Sequence, residues 1–178
     1  MNDKHQPTGL PIERLNVIPT VITTYIDRIQ ATGLGTFEMF LDFAAVSAEK
    51  SNLEGANLAG SKFRFASFRE AKMRGVDFSK ADLHVARFWQ AHLKKANFSE
   101  AFLQFAHFEG ADLEDANFQN ADLRKAWFPD ADLTGANLDG ALLEKAMYSK
   151  NTKWPEGFDP VAAGAILEEF DENYNIVS

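Results

Sequence analysis

An all-β solenoid follows from three regularities of the chain. From Ser51 to Lys150 the sequence divides into twenty blocks of five with no insertion, and the middle residue of every block is large and apolar. Two residues before it stands Ala in seventeen blocks, the exceptions being Ser51, Ser61 and Val76. Stacking each centre on the one twenty residues later puts like on like: Phe78, Phe98 and Phe118 fall in one column, and Phe68, Phe88, Phe108 and Phe128 in another. Self-similarity of this kind fixes the architecture before local propensity is considered.

A period of five suits neither regular element. Five helical residues rotate the apolar column about 140° away from where it started, so the stripe would smear around a helix. A plain strand alternates with period two, so an odd period throws successive large residues to opposite faces. The pattern needs a backbone that turns once per block, with one large and one small side chain pointing inward each time. Four blocks per coil account for the columns, although the Leu/Phe alternation is also compatible with a two-block period. Twenty blocks then make five coils, a rod about 24 Å long at ordinary strand spacing.

Blocks such as Ala-Asp-Leu-Glu-Asp at 111–115, Ala-Asn-Phe-Gln-Asn at 116–120 and Ala-Asn-Leu-Asp-Gly at 136–140 resemble the pentapeptide-repeat family. The resemblance extends to a degenerate start at Leu41-Asp42-Phe43 in the same register. It implies a right-handed quadrilateral β-helix with the Leu/Phe and Ala columns inside. The segment Trp154-Pro155-Glu156-Gly157-Phe158-Asp159-Pro160 is similar to the closing segment of some cyanobacterial members.

The repeat divides the chain into three parts: 1–50, a helical cap and lead-in; 51–150, the solenoid; and 151–178, a second helical cap. Solenoid ends need covering, because they expose backbone and core. Ile22, Tyr25, Ile26 and Ile29 share one helical face between Thr20 and Ala31, followed by the apolar run Phe37 to Phe43. Asp159-Pro160 reads as N-cap and first helical residue of a helix to about Phe170.

The chain has 178 residues, one domain's worth, and no cysteine, so it offers no thiolate ligand or nucleophile. No apolar run is long enough to cross a membrane as a helix. The polar stretch Met1 to Pro11 lacks the order of a secretory signal. A cytoplasmic protein without membrane contact is the expectation. Net charge is −8 but unevenly placed: residues 51–100 carry +4 and residues 101–150 carry −5. The basic residues, among them Arg64, Arg69, Lys94 and Lys95, spread over all four expected faces. That is a girdle and not a nucleic-acid groove.

No catalytic arrangement emerges, and no cofactor is expected. His84, His92 and His107 fall on three different faces and cannot share a metal. The regular carboxylates, Asp82, Asp112, Asp122 and Asp132 among them, follow from the repeat and read as a solvated face. No phosphate loop, nucleophile elbow or zinc-binding His-Glu-x-x-His pattern occurs.

The anomaly lies in outward positions, which ought to be polar. Phe65, Val85 and Phe105 recur at one corner, a coil apart. Phe102 and Leu142 lie on the face before that corner, and Trp89 and Trp127 belong to the side after it. Monomers rarely expose such strips. The strip is either covered by a flank or serves a protein partner or a second copy of the chain, for which Trp and Phe are typical anchors. The expected function is a non-enzymatic binding or scaffold module, with a regulatory role through a protein partner as one form of it. The resemblance also raises an alternative, a DNA mimic that binds DNA gyrase as in quinolone-resistance members. The near-neutral repeat region and the absence of loop insertions depart from that picture.

Overall fold

The computed structural model describes residues 44–177, so the expected N-terminal helix and the run from Phe37 to Phe43 lie outside the described residues. From Ser47 onward, the second residue of each block bridges in parallel the residue twenty positions on, up to Trp127 with Met147. The block around Phe98 shows how. The Phe98 N–H donates to the Asn117 carbonyl at 2.7 Å, and the Asn117 N–H donates to the Ala96 carbonyl at 2.9 Å. The Ala101 N–H donates to the Phe98 carbonyl at 3.0 Å, closing a four-residue turn. The third member of that turn, Glu100, has φ of 58°. One such turn per block and twenty residues per coil give a four-sided tube. Positive φ at the third turn position is where Gly is ordinarily required.

The Asp/Asn column ahead of each centre has a structural task beyond solvation. The Ser99 N–H donates to Asn97 Oδ1 at 3.1 Å, the Glu114 N–H to Asp112 Oδ1 at 3.2 Å, and the Gln119 N–H to Asn117 Oδ1 at 3.1 Å. Each side chain occupies the turn N–H that no ladder bond reaches, as short polar side chains do before turns. Down one face they also join each other, Asn117 Nδ2 to Asn97 Oδ1 at 3.2 Å and Asn97 Nδ2 to Asp77 Oδ1 at 3.0 Å.

The core is two stacked phenylalanine columns set edge-on to each other. Phe88 and Phe108 stack at 5.0 Å, Phe108 and Phe128 at 5.1 Å, and Phe98 and Phe118 at 5.0 Å. Between columns, Phe98 meets Phe108 edge-on at 5.9 Å. Both geometries are favourable for aromatic rings. Leu83, Leu93, Leu103 and the inward alanines from Ala56 to Ala136 fill the rest, all buried.

The C-terminal segment departs from expectation. The Asp159 signal operates for one turn only: the N–H groups of Val161 and Ala162 both donate to Asp159 Oδ1 at 3.0 Å. Gly164, at φ of 86°, then ends the turn. Instead of a helix to Phe170, Met147–Tyr148 (β1) pairs in parallel with Ile166–Leu167 (β2). The cause is the open edge of the last full coil. Its carbonyls at Ala146 and Tyr148 take the N–H groups of Ile166 at 2.7 Å and Glu168 at 2.9 Å. A sheet edge with unpaired carbonyls outweighs a local helix signal. One extra residue is taken up near Ser149, since Asp132 bridges Lys153. Trp154 closes the column, meeting Phe128 at 5.8 Å, Tyr148 at 5.5 Å and Phe158 at 5.3 Å. Residues 169–177 then turn back along the rod, with an antiparallel bridge from Phe170 to Ile176.

Candidate functional site

The seven outward apolar residues separate into two regions. Trp89 and Trp127 lie under the returning C-terminal tail. Phe170 packs on Trp127 at 5.8 Å, and Trp89, Arg69 and Gln90 line a cleft with Glu172, Asn173 and Tyr174. His107 sits between the two tryptophans, 6.4 Å from Trp89 and 5.5 Å from Trp127. Its Nδ1 is 2.7 Å from Glu109 Oε1. Burial pushes the Tyr174 hydroxyl above its ordinary range, and the Asp130 and Glu109 carboxylates add to the effect.

Phe65, Phe102, Phe105 and Leu142 stay open, 52%, 52%, 39% and 51% exposed, with Val85 half-buried among them. The backbone at this corner matches the other three, but the residues that occupy it are unusual. Phe65, Val85 and Phe105 have φ of 60°, 58° and 59°, in the left-handed region. For a bulky residue this is an outlier, and for β-branched Val more so. The diagonally opposite corner carries Gly55, Gly75, Lys95, Asp115 and Gly135. The other two carry only Gly, Lys, Glu, Gln, Asn and Asp. Large apolar residues in the left-handed turn position are thus confined to one edge of the tube.

Cations and rings interleave along that edge. The Lys125 ammonium stands 5.0 Å above the Phe105 ring, His84 meets Phe105 edge-on at 5.5 Å, and the Arg64 guanidinium is 6.0 Å from the Phe65 ring. Arg64 also bonds Asp82 at 3.2 Å. Asp122 is gripped by Arg124 at 2.8 and 2.6 Å and by Gln104 at 2.6 Å. The Arg124 hydrogen bond holds the Asp122 carboxyl below the ordinary carboxylate range against the opposing effect of burial. Beside these contacts runs a groove of about 680 Å³, with Phe102 and Phe105 in its lining. The arrangement can grip another surface by apolar and cation–π contact. Among the described residues, no group of three His, Asp or Glu could hold a metal ion. No helix among them is long and apolar enough to cross a membrane.

The sequence pointed to the outward residues but not to their separation. Covering by a flank was one of the two readings of the whole strip; it holds for Trp89 and Trp127, and the covering residues could not be named because their segment has no repeat register. The corner's cost was legible in principle, since Phe65, Val85 and Phe105 stand where Gly55 and Gly75 stand in another column.

Known proteins place the chain in context. A profile for pentapeptide repeats matches residues 51–90, 77–115, 91–128 and 116–147. The chain is similar to the pentapeptide repeat protein alr5209 from Nostoc PCC 7120, with 33% identity over 83% of this chain and 95% of that one, TM-score 0.39. It is similar in fold to HetL, a pentapeptide repeat protein involved in heterocyst differentiation regulation from the cyanobacterium Nostoc sp. strain PCC 7120. There the identity is 19% over 79% of this chain and 90% of that one, with a TM-score of 0.50. That likeness identifies the four-sided tube as the right-handed quadrilateral β-helix. A further similar structure is QnrB1, a plasmid-mediated fluoroquinolone resistance protein, with 17% identity over 72% and 90% of the two chains and TM-score 0.41. No curated protein matches the chain significantly.

Proposed function

The chain belongs to the pentapeptide-repeat family, and from that premise we propose that it is a non-enzymatic protein-binding module whose docking surface is the corner carrying Phe65, Val85 and Phe105. One observation supports this most. Three bulky side chains occupy left-handed turn positions at a backbone cost of about 1–2 kcal/mol each, yet Phe65 and Phe105 stay 52% and 39% exposed and Val85 is only half-buried. The same φ recurs at Lys80, Gln90 and Glu100, so the turn belongs to the fold, and what sets this corner apart is that bulky apolar residues take it where Gly or polar residues stand elsewhere. Aromatic and Arg side chains at the centre of an apolar patch are the usual anchors of protein interfaces.

DNA mimicry fits this corner poorly. A mimic presents sustained negative charge, whereas this groove sets Arg64, Arg124, Lys125 and Lys145 against only Asp82 and Glu144. Protein bound to immobilised native chain is to be identified, purified and titrated against the native chain and a Phe65→Asn/Phe105→Asn variant. A saturable affinity lost in the variant supports the proposal. Equal affinity for both overturns it. Gyrase supercoiling, measured with each added, checks the mimic directly.

A further inference from the structure

We propose that the Trp89–His107–Trp127 face is a second docking site, for a turn-forming protein segment with two aromatic side chains four residues apart and flanking carboxylates, and that residues 169–177 are its displaceable resident. This site is separate from the open corner and does not rest on it.

The tail is held differently from everything before it. The last hydrogen bond from the tail side to the rod is the Glu168 N–H on the Tyr148 carbonyl, at 2.9 Å. Beyond it, among the described residues, the tail's hydrogen bonds close on the tail itself. Asp171 accepts from the N–H groups of Asn173 at 2.8 Å and Asn175 at 2.9 Å, and the Val177 N–H donates to the Glu169 carbonyl at 2.9 Å. Its hold on the rod is side-chain contact: Phe170 on Trp127, and Tyr174 beside Gly110 and Gln90. A segment with no ladder bonds to the rod opens at lower free energy than the coils beneath it.

The face below is imperfectly satisfied by its resident. Glu109, an outward corner residue, is only 1% exposed, yet its Oε2 has no hydrogen-bond partner. Trp89 Nε1 is likewise buried without an acceptor. A buried donor and a buried acceptor left unmade are costly, and the aromatic tail chemistry answers neither. A cleft of about 360 Å³ remains between tail and face beside Trp89. The ligand chemistry can be read from resident and defects together. Phe170 and Tyr174 set the aromatic spacing. Glu168, Glu169, Asp171 and Glu172 set the acidity, and Glu172 shares the cleft with Arg69. A better occupant adds a carbonyl or carboxylate for the Trp89 indole and an N–H or ammonium for Glu109.

The full-length Phe170→Ser/Tyr174→Ser variant frees the face without shortening the chain. The probe is a synthetic peptide of residues 168–178, followed by tryptophan fluorescence. The variant is expected to bind it saturably, and the native chain about tenfold more weakly or less, because its own tail competes. A peptide with both aromatics replaced by serine is expected not to bind. Equal binding to variant and native chain overturns the proposal. So does absence of binding to a variant that keeps the native melting temperature. Hydrogen exchange on the native chain serves if the variant does not fold. Tail amides that exchange faster than those of Phe98 and Phe108 support a displaceable strap, and equal protection overturns it.

Discussion

Replacing Phe65, Val85 and Phe105 together by Asn separates what the corner does for stability from what it does for binding. The three residues sit at φ of 60°, 58° and 59°. Left-handed backbone costs an ordinary L-residue about 1–2 kcal/mol, and Asn visits it far more readily. Relief at three positions comes to about 3 kcal/mol at the low end of that range. The opposing loss is apolar burial. Phe65 and Phe105 are 52% and 39% exposed. Full burial of such a side chain is worth about 1.5–3 kcal/mol, so each half-covered ring, and Val85 beside them, forfeits about 1 kcal/mol. The two effects nearly cancel. The triple variant is therefore expected to fall within about 1 kcal/mol of the native chain in urea denaturation followed by circular dichroism. Phe98→Ala is the comparator. Its ring is fully buried and stacks on Phe118 at 5.0 Å, and its loss is expected to cost about 3–5 kcal/mol. A drop above about 3 kcal/mol in the triple variant would mean that the corner is held by packing, as the core is, and the strain reasoning would fail.

Ala106→Leu should overpack the wall and lower stability by about 1–3 kcal/mol, because Ala106 is fully buried; an unchanged denaturation midpoint contradicts this. Asn117→Ala removes the acceptor for the Gln119 N–H and a rung of the asparagine ladder, with an expected cost of about 1 kcal/mol in the same assay. Excising residues 71–90, one whole coil in the observed register, should leave a folded β-rod by circular dichroism. Excising 71–89 should not, because every later side chain would be one step out of column. Equal outcomes for the two deletions would contradict a coil of twenty.

The rod was legible because each inward position repeats with the same size and chemistry, so Phe78, Phe98 and Phe118 announce their own stack. The Asp/Asn column was read as solvated surface. Its turn-closing role is local chemistry that the spacing of Asn97 and Ser99 already contained. The C-terminal helix failed for a different reason. Asp159-Pro160 is a genuine start signal, honoured for one turn, but the carbonyls of Ala146 and Tyr148 compete for the same segment. Competition with a distant sheet edge leaves no mark in a local window. That a flank could cover the strip was foreseen, but not that it covers Trp89 and Trp127 alone, since Phe170 and Tyr174 stand outside any repeat.

The open corner is tested most directly by a photo-crosslinking phenylalanine analogue placed at position 105 in one protein and at position 95, on the diagonal corner, in another. Incubated with the purified binding protein, the first is expected to give a defined adduct and the second none. Adducts of equal yield from both positions, or from 95 alone, would place the contact elsewhere and contradict the account.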